Sequence, residues 1–149
     1  MIFFSYSNKD FKVVLQIYSE LIKSINKDIW FAPEQISFGD SWEAEIKKGL
    51  KSSDIIMLFL SQHRIFPELN SNLSKEDRMI TEALNKDSNK KVILIGIDKT
   101  ENPFKDIALD DQFNLALDIN EDRIIDLENS KTFKSLKSYL NPPKLGLLN

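Results

Sequence analysis

The chain has 149 residues, a formal net charge of −3, 42% apolar and 29% charged residues, and no cysteine. A chain of this size and balance forms one domain with a real core, and without a basic excess it lacks the phosphate-neutralising surface of a nucleic-acid binder. The missing cysteines exclude a disulfide framework, a thiol nucleophile and Cys-ligated zinc, and one histidine, His63, cannot build a His-rich metal site.

No apolar run reaches the length of a membrane span. The amino terminus carries no basic stretch followed by a long apolar one, so no secretory signal is expected. The expected location is the cytoplasm, without membrane contact. The richness in Asn, Lys and Ile suggests an AT-rich, bacterial coding sequence.

The first segment, MIFFSYSNKD, predicts a strand over Met1–Tyr6 that stops in small polar groups. Phe11, Val14, Leu15, Tyr18, Leu21, Ile22 and Ile25 then recur at helical spacing. A second strand is predicted over Asp28–Ala32, followed by a loop over Pro33–Asp40. Trp42, Ile46 and Leu50 mark the next helix, with Trp42 read as part of its core stripe. A third strand spans Asp54–Leu60, and the loop Ser61–Ser74 leads to a helix marked by Ile80, Ala83 and Leu84. Lys91–Ile97 reads as the fourth strand, Asp98–Asp122 as an irregular acidic stretch, and Arg123–Leu127 as the fifth strand. Phe133, Leu136 and Leu140 mark a last helix, and Asn141–Asn149 reads as a tail or the start of a linker. The domain is therefore expected over residues 1–140.

Three helix starts carry a side-chain cap with an acid three residues on: Ser7 and Asp10, Asp40 and Glu43, Ser74 and Asp77. Strands alternating with helices, three of them near-continuous apolar runs, predict an α/β sandwich with a parallel five-stranded sheet. Ligands of such sheets bind beyond the carboxyl ends of the strands. The segments there are Ser5–Asp10, Pro33–Asp40 and Ser61–Ser74.

Only four glycines are present, Gly39, Gly49, Gly96 and Gly146. A dinucleotide fingerprint or a P-loop needs several in one loop, so neither applies. No Gly-x-Ser-x-Gly elbow occurs, and strand three ends Leu58-Phe59-Leu60-Ser61, without a phosphoryl-accepting aspartate.

Three segments remain: FFSYSNKD, PEQISFGDSW and LSQHR…SKEDRMITEAL. In this order they resemble a Toll/interleukin-1 receptor (TIR) domain, whose first strand ends in Ser-Tyr before a helix-starting acid. The second TIR loop ends in Gly before an aromatic helix start, as Phe38-Gly39-Asp40-Ser41-Trp42 does, and the third strand ends in Leu-Ser, as Leu60-Ser61 does. The resemblance covers nearly the whole chain. It implies a flavodoxin-like three-layer sandwich, with helices on both faces of the five-stranded parallel sheet.

Many TIR domains cleave NAD with a glutamate on the helix after strand three, and the resemblance puts that role on Glu82. It implies substrate contacts from Tyr6, Ser7, Phe38, Gly39 and Arg78. Active relatives carry Trp four residues before the glutamate; here Arg78 stands there, a poor neighbour for cationic nicotinamide that could hold the pyrophosphate while Phe66 or Trp42 supplies the ring contact. NAD would be a substrate; no cofactor or metal is expected. Phe38 on the second loop is expected to dock on a neighbouring copy. The implied function is a bacterial, self-assembling NAD glycohydrolase in anti-phage defence, with a fused or partner sensor domain. Its products would be nicotinamide and ADP-ribose or a cyclic form. The alternative is a non-catalytic TIR adaptor that pairs with other TIR domains in signalling or host mimicry.

The same residues have plainer readings. Ser7 also serves as a cap, Gly39 also as the glycine of a positive-φ turn, and Glu82 also as a solvated helix residue, since Ile80, Ala83 and Leu84 define the stripe. His63 reads as a solvated loop residue.

Overall fold

Apolar runs become strands where both sides of the backbone find cover. β1 (Ile2–Ser5), β2 (Ile29–Trp30), β3 (Ile55–Leu60) and β4 (Lys91–Gly96) lie within the first four predicted strands. The computed structural model describes residues 1–64, 74–99 and 111–141. All strands of its five-stranded sheet run parallel, in the order β2-β1-β3-β4-β5, the flavodoxin-like arrangement. β3, at its centre, is buried over its whole length, as a strand covered on both faces must be.

The fifth strand is a correction. β5 is Gln112–Asn114, paired with Leu94–Gly96 of β4, inside the stretch expected to be irregular. Arg123–Leu127 forms no strand. Arg123 takes φ 63°, a left-handed conformation no strand accommodates. The amides of Ile124 and Ile125 donate to side-chain oxygens of Asn120 and Gln16 instead of to a neighbouring strand. What remains is one isolated antiparallel bridge between Ile119 and Ile125.

The helices are α1 (Phe11–Ser24), α2 (Ala32–Gln35), α3 (Trp42–Ser52), α4 (Lys75–Lys86) and α5 (Lys131–Leu140). Alternation along the strands splits the core in two. Ile2, Phe4, Met57, Phe59, Ile93 and Ile95 pack under α1 and α5, whereas Phe3, Ile56, Leu58, Leu60 and Leu94 pack under α3 and α4. α3 lies close on the sheet because Gly49 permits it: a Cβ there would meet the Trp30 ring at 2.6 Å. Trp30 in turn stacks on Phe3 with ring centroids 4.6 Å apart.

Capping follows the sequence in part. Ser74 Oγ accepts from the Asp77 amide at 3.1 Å, as the spacing predicts. At α3 the cap is Ser41, accepting from Ala44, while Asp40 accepts from the Ser37 amide and closes the loop before it. Ser7 accepts weakly from Lys9, at 3.4 Å, and starts the single 3-10 turn Asn8–Asp10 ahead of α1. Asp10 is buried and caps nothing with its side chain. Among the described residues no helix is long and apolar enough to cross a membrane.

Candidate active site

β1 and β3 are neighbours whose following helices, α1 and α4, lie on opposite faces of the sheet. The chain directions diverge there and leave a crevice at the carboxyl ends of the two strands. A cavity of about 300 Å³ occupies it, lined by Tyr6, Ser7, Asn8, Trp42, Lys75 and Glu76 among others.

Glu76 comes from the first turn of α4, placed there by the Ser74 cap. Ser5 Oγ donates to its Oε2 at 3.2 Å. Burial pushes its carboxyl above the ordinary value; the Arg64 guanidinium and the Ser5 hydrogen bond pull it back, and neighbouring Asp77 raises it further. Tyr6 is pushed up to about 12, by burial first and by the charge of Glu76 second. The cavity thus joins a half-buried carboxyl, a phenol held in its protonated form and the partly exposed indole of Trp42.

Two guanidinium–carboxylate pairs lie at the same ends of the strands. Arg64 Nη2 meets Asp77 Oδ1 at 2.6 Å with both side chains 8% exposed, and Arg64 Nη1 donates to the Ser5 carbonyl at 2.9 Å. Arg64 reaches this position because a tight turn bonds it to Ser61 in both directions. Arg123 Nη2 meets Asp10 Oδ1 at 2.7 Å, and Asp10 Oδ2 accepts from Ser61 Oγ at 2.5 Å. The end of β1, the end of β3, the start of α1 and the start of α4 are thereby tied together by charge-assisted bonds.

The expected site residues are not all gathered here. Tyr6 and Ser7 line the cavity. Glu82 does not. It is exposed and lines a separate cleft of about 500 Å³ between α3 and α4, with Lys47, Lys51, Lys86 and Lys90 around it and Leu50 and Met79 beneath. The reason is helical geometry: six residues beyond Glu76 is about 9 Å along the axis and about 240° around it. Arg78 is exposed on α4 and lines neither space. Phe38 and Gly39 stand exposed on the second loop, outside the cavity. Gly39 has φ 92°, and a Cβ added to it would meet nothing within 4 Å, so it serves the turn.

Trp42 departs from its core reading: it is 45% exposed and lines the cavity. It is the first residue of α3, beyond the sheet edge, and Ile46 and Leu50 fill the core in its place. Phe66, the other ring considered, lies outside the described residues. Glu76, Arg64 and the buried role of Asp10 escaped the sequence reading. The Ser74–Asp77 cap carried a usable signal for Glu76, since it sets the first turn of α4 at the ligand edge.

The sequence profile of the TIR domain matches residues 2–135. Among curated proteins no relative is found. Among solved structures the chain is similar to the TIR domain of the Toll-related receptor TRR-2 from the lower metazoan Hydra magnipapillata. That likeness has 12% identity and a TM-score of 0.49, over 72% of this chain and 80% of that one.

Proposed function

The chain belongs to the TIR domain family, and from that membership we propose that it cleaves NAD at the nicotinamide–ribose bond, with Glu76 rather than Glu82 as the reacting carboxylate. One observation carries this reading: Glu76 and the Trp42 indole line the same small cavity at the strand ends. The bond from ribose C1′ to the nicotinamide nitrogen breaks with its electron pair going to that nitrogen, which cancels the ring's positive charge. No acid is needed for the leaving group. The barrier lies in the positive charge that develops on the ribose, and a carboxylate beside it lowers that barrier. Water then adds to C1′ and releases a proton, giving ADP-ribose; internal attack by the adenine ring gives a cyclic product instead.

A cavity of about 300 Å³ suits the nicotinamide-riboside half of NAD better than the whole dinucleotide. The adenosine half then lies outside it, where a second copy of the domain can cover it. Phe38, an exposed ring on the second loop, is suited to docking on that copy. Activity should therefore rise with assembly. The same exposed ring supports the second reading, an adaptor that only pairs with other TIR domains in signalling or host mimicry. A bacterial source accords with the richness in Asn, Lys and Ile, and the role proposed there is anti-phage defence.

The deciding assay incubates concentrated protein with NAD, with and without a crowding agent, and chromatographs the nucleotides. The expected result is nicotinamide release that falls about 10²-fold or more in Glu76→Gln and is unchanged in Glu82→Gln. Loss in Glu82→Gln alone would return the role to Glu82. No release from assembled wild-type protein would favour the adaptor.

A further inference from the structure

We propose that Arg64 is a positioning residue for Glu76, holding its carboxylate ionised and fixed against the end of β1. The inference rests on the reading of Glu76 as the reacting carboxylate.

Glu76 and Asp77 are adjacent on the first turn of α4, and Asp77 is buried. Two carboxylates this close in a partly dry site do not both stay ionised unless a cation stands between them. Tyr6, on the loop after β1, adds no positive charge. Lys75 is engaged elsewhere, paired with Glu43 of α3 at 2.6 Å. Among the described residues Arg64 is the buried cation near them: it bonds Asp77 directly and acts on Glu76 through space.

A second contact of the same side chain fixes position as well as charge. Arg64 Nη1 holds the carbonyl of Ser5, and the hydroxyl of the same Ser5 donates to Glu76. One guanidinium therefore sets the backbone that carries the hydrogen bond to Glu76 and supplies the charge that keeps it able to accept it. Lysine cannot reproduce both contacts, because a single ammonium lacks the planar fork. Neither a surface lysine nor an uncharged side chain would serve at this depth.

The test follows the pH dependence of NAD cleavage together with the ¹³C titration of the Glu76 side-chain carboxyl, its signal identified by its loss in Glu76→Gln. In Arg64→Gln the acid limb of the rate profile and the carboxyl titration should both move up by at least about one unit, a tenfold loss of rate on that limb, while the rate at high pH largely recovers. In Asp77→Asn, which removes the competing anion and keeps the shape, both should move down. A uniform loss of rate with neither quantity moved would overturn the proposal and leave Arg64 a structural residue. Where Arg64→Gln fails to fold, Arg64→Lys decides, because it keeps a charge but lacks the fork that bonds both Ser5 and Asp77, and an unmoved titration and rate profile there overturn the proposal. Titrations that shift as stated in a protein that releases no nicotinamide would support the control of Glu76 by Arg64 and sink the enzymatic reading instead.

Discussion

α4 carries two glutamates six residues apart, and they occupy unlike surroundings. Glu76 is half-buried, receives a hydroxyl hydrogen bond, feels the charge of a buried guanidinium and shares its cavity with the rings of Phe4, Tyr6 and Trp42. Glu82 is exposed on the shoulder of the same helix, in a wider cleft among the exposed Lys47, Lys51 and Lys86 and the more buried Lys90, whose ammonium bonds the Ser53 carbonyl. The residue type is identical; what differs is the dielectric and the rigidity of the neighbours. A carboxylate among solvated lysines is screened and mobile. One enclosed by fixed dipoles keeps its orientation while a positive charge grows beside it, which is the condition for stabilising a transition state.

Four measurements put that contrast at risk. The largest effect concerns rigidity. Asp10→Ala removes the fully buried partner of both Arg123 and Ser61 and should cost about 3 kcal/mol in urea unfolding, whereas Glu82→Ala should leave the midpoint unchanged. Equal costs would mean the strand-end region is no more firmly built than the lysine cleft. Next, Trp42→Ala should raise the KM for NAD about tenfold with a smaller change in kcat, the worth of one stacked ring. Lys86→Ala, in the other cleft, should leave KM as it is.

The third measurement is spectroscopic. The phenolate absorbance of Tyr6, isolated by difference from Tyr6→Phe, should appear near pH 12 against an ordinary value of 10.0. Glu76→Gln should lower that midpoint without returning it to the ordinary value, because burial is the larger cause; Glu82→Gln should not move it. The folded protein holds this proton more tightly than the unfolded chain does, so the contribution of Tyr6 to stability is complete below pH 10 and is lost as pH climbs through about 12. The smallest effect is expected from Phe38→Ala. Its ring is exposed, so folding stability should stay put, while sedimentation velocity should show weaker self-association. Unaltered sedimentation would remove Phe38 from the interface.

The fold was legible where burial dictates the residue type. Phe3, Phe4 and Ile55–Leu60 are apolar because both faces of their strands are covered, and the stripe of α5 is apolar because one face is; α1 instead buries Val13, Val14, Ile17 and Leu21 and leaves Phe11, Leu15 and Ile22 of its expected stripe exposed. β5 was not legible: Gln112–Asn114 lies at the sheet edge, half-exposed, and needs no apolar run. Ile124 and Ile125 imitated a strand while their amides were claimed by side chains. Tyr6 and Ser7 line the cavity because they follow a strand directly. Which glutamate of α4 lines it depends on the phase of that helix, and a resemblance in order along the chain does not fix an angle around a helix. Arg64 and Asp10 were invisible for a related reason: the Ser5 carbonyl that Arg64 bonds and the Arg123 that Asp10 pairs with come from distant parts of the chain.

The two outer strands of the sheet have a bearing on how copies of the protein can meet. β2 offers two residues of backbone and β5 three, too little unpaired main chain to template another strand. Copies that gather through side chains such as the Phe38 ring can part again, since no continuous ladder of amides forms between them. Clustering on demand is then compatible with dispersal afterwards, and high local concentration does not commit the domain to fibrils.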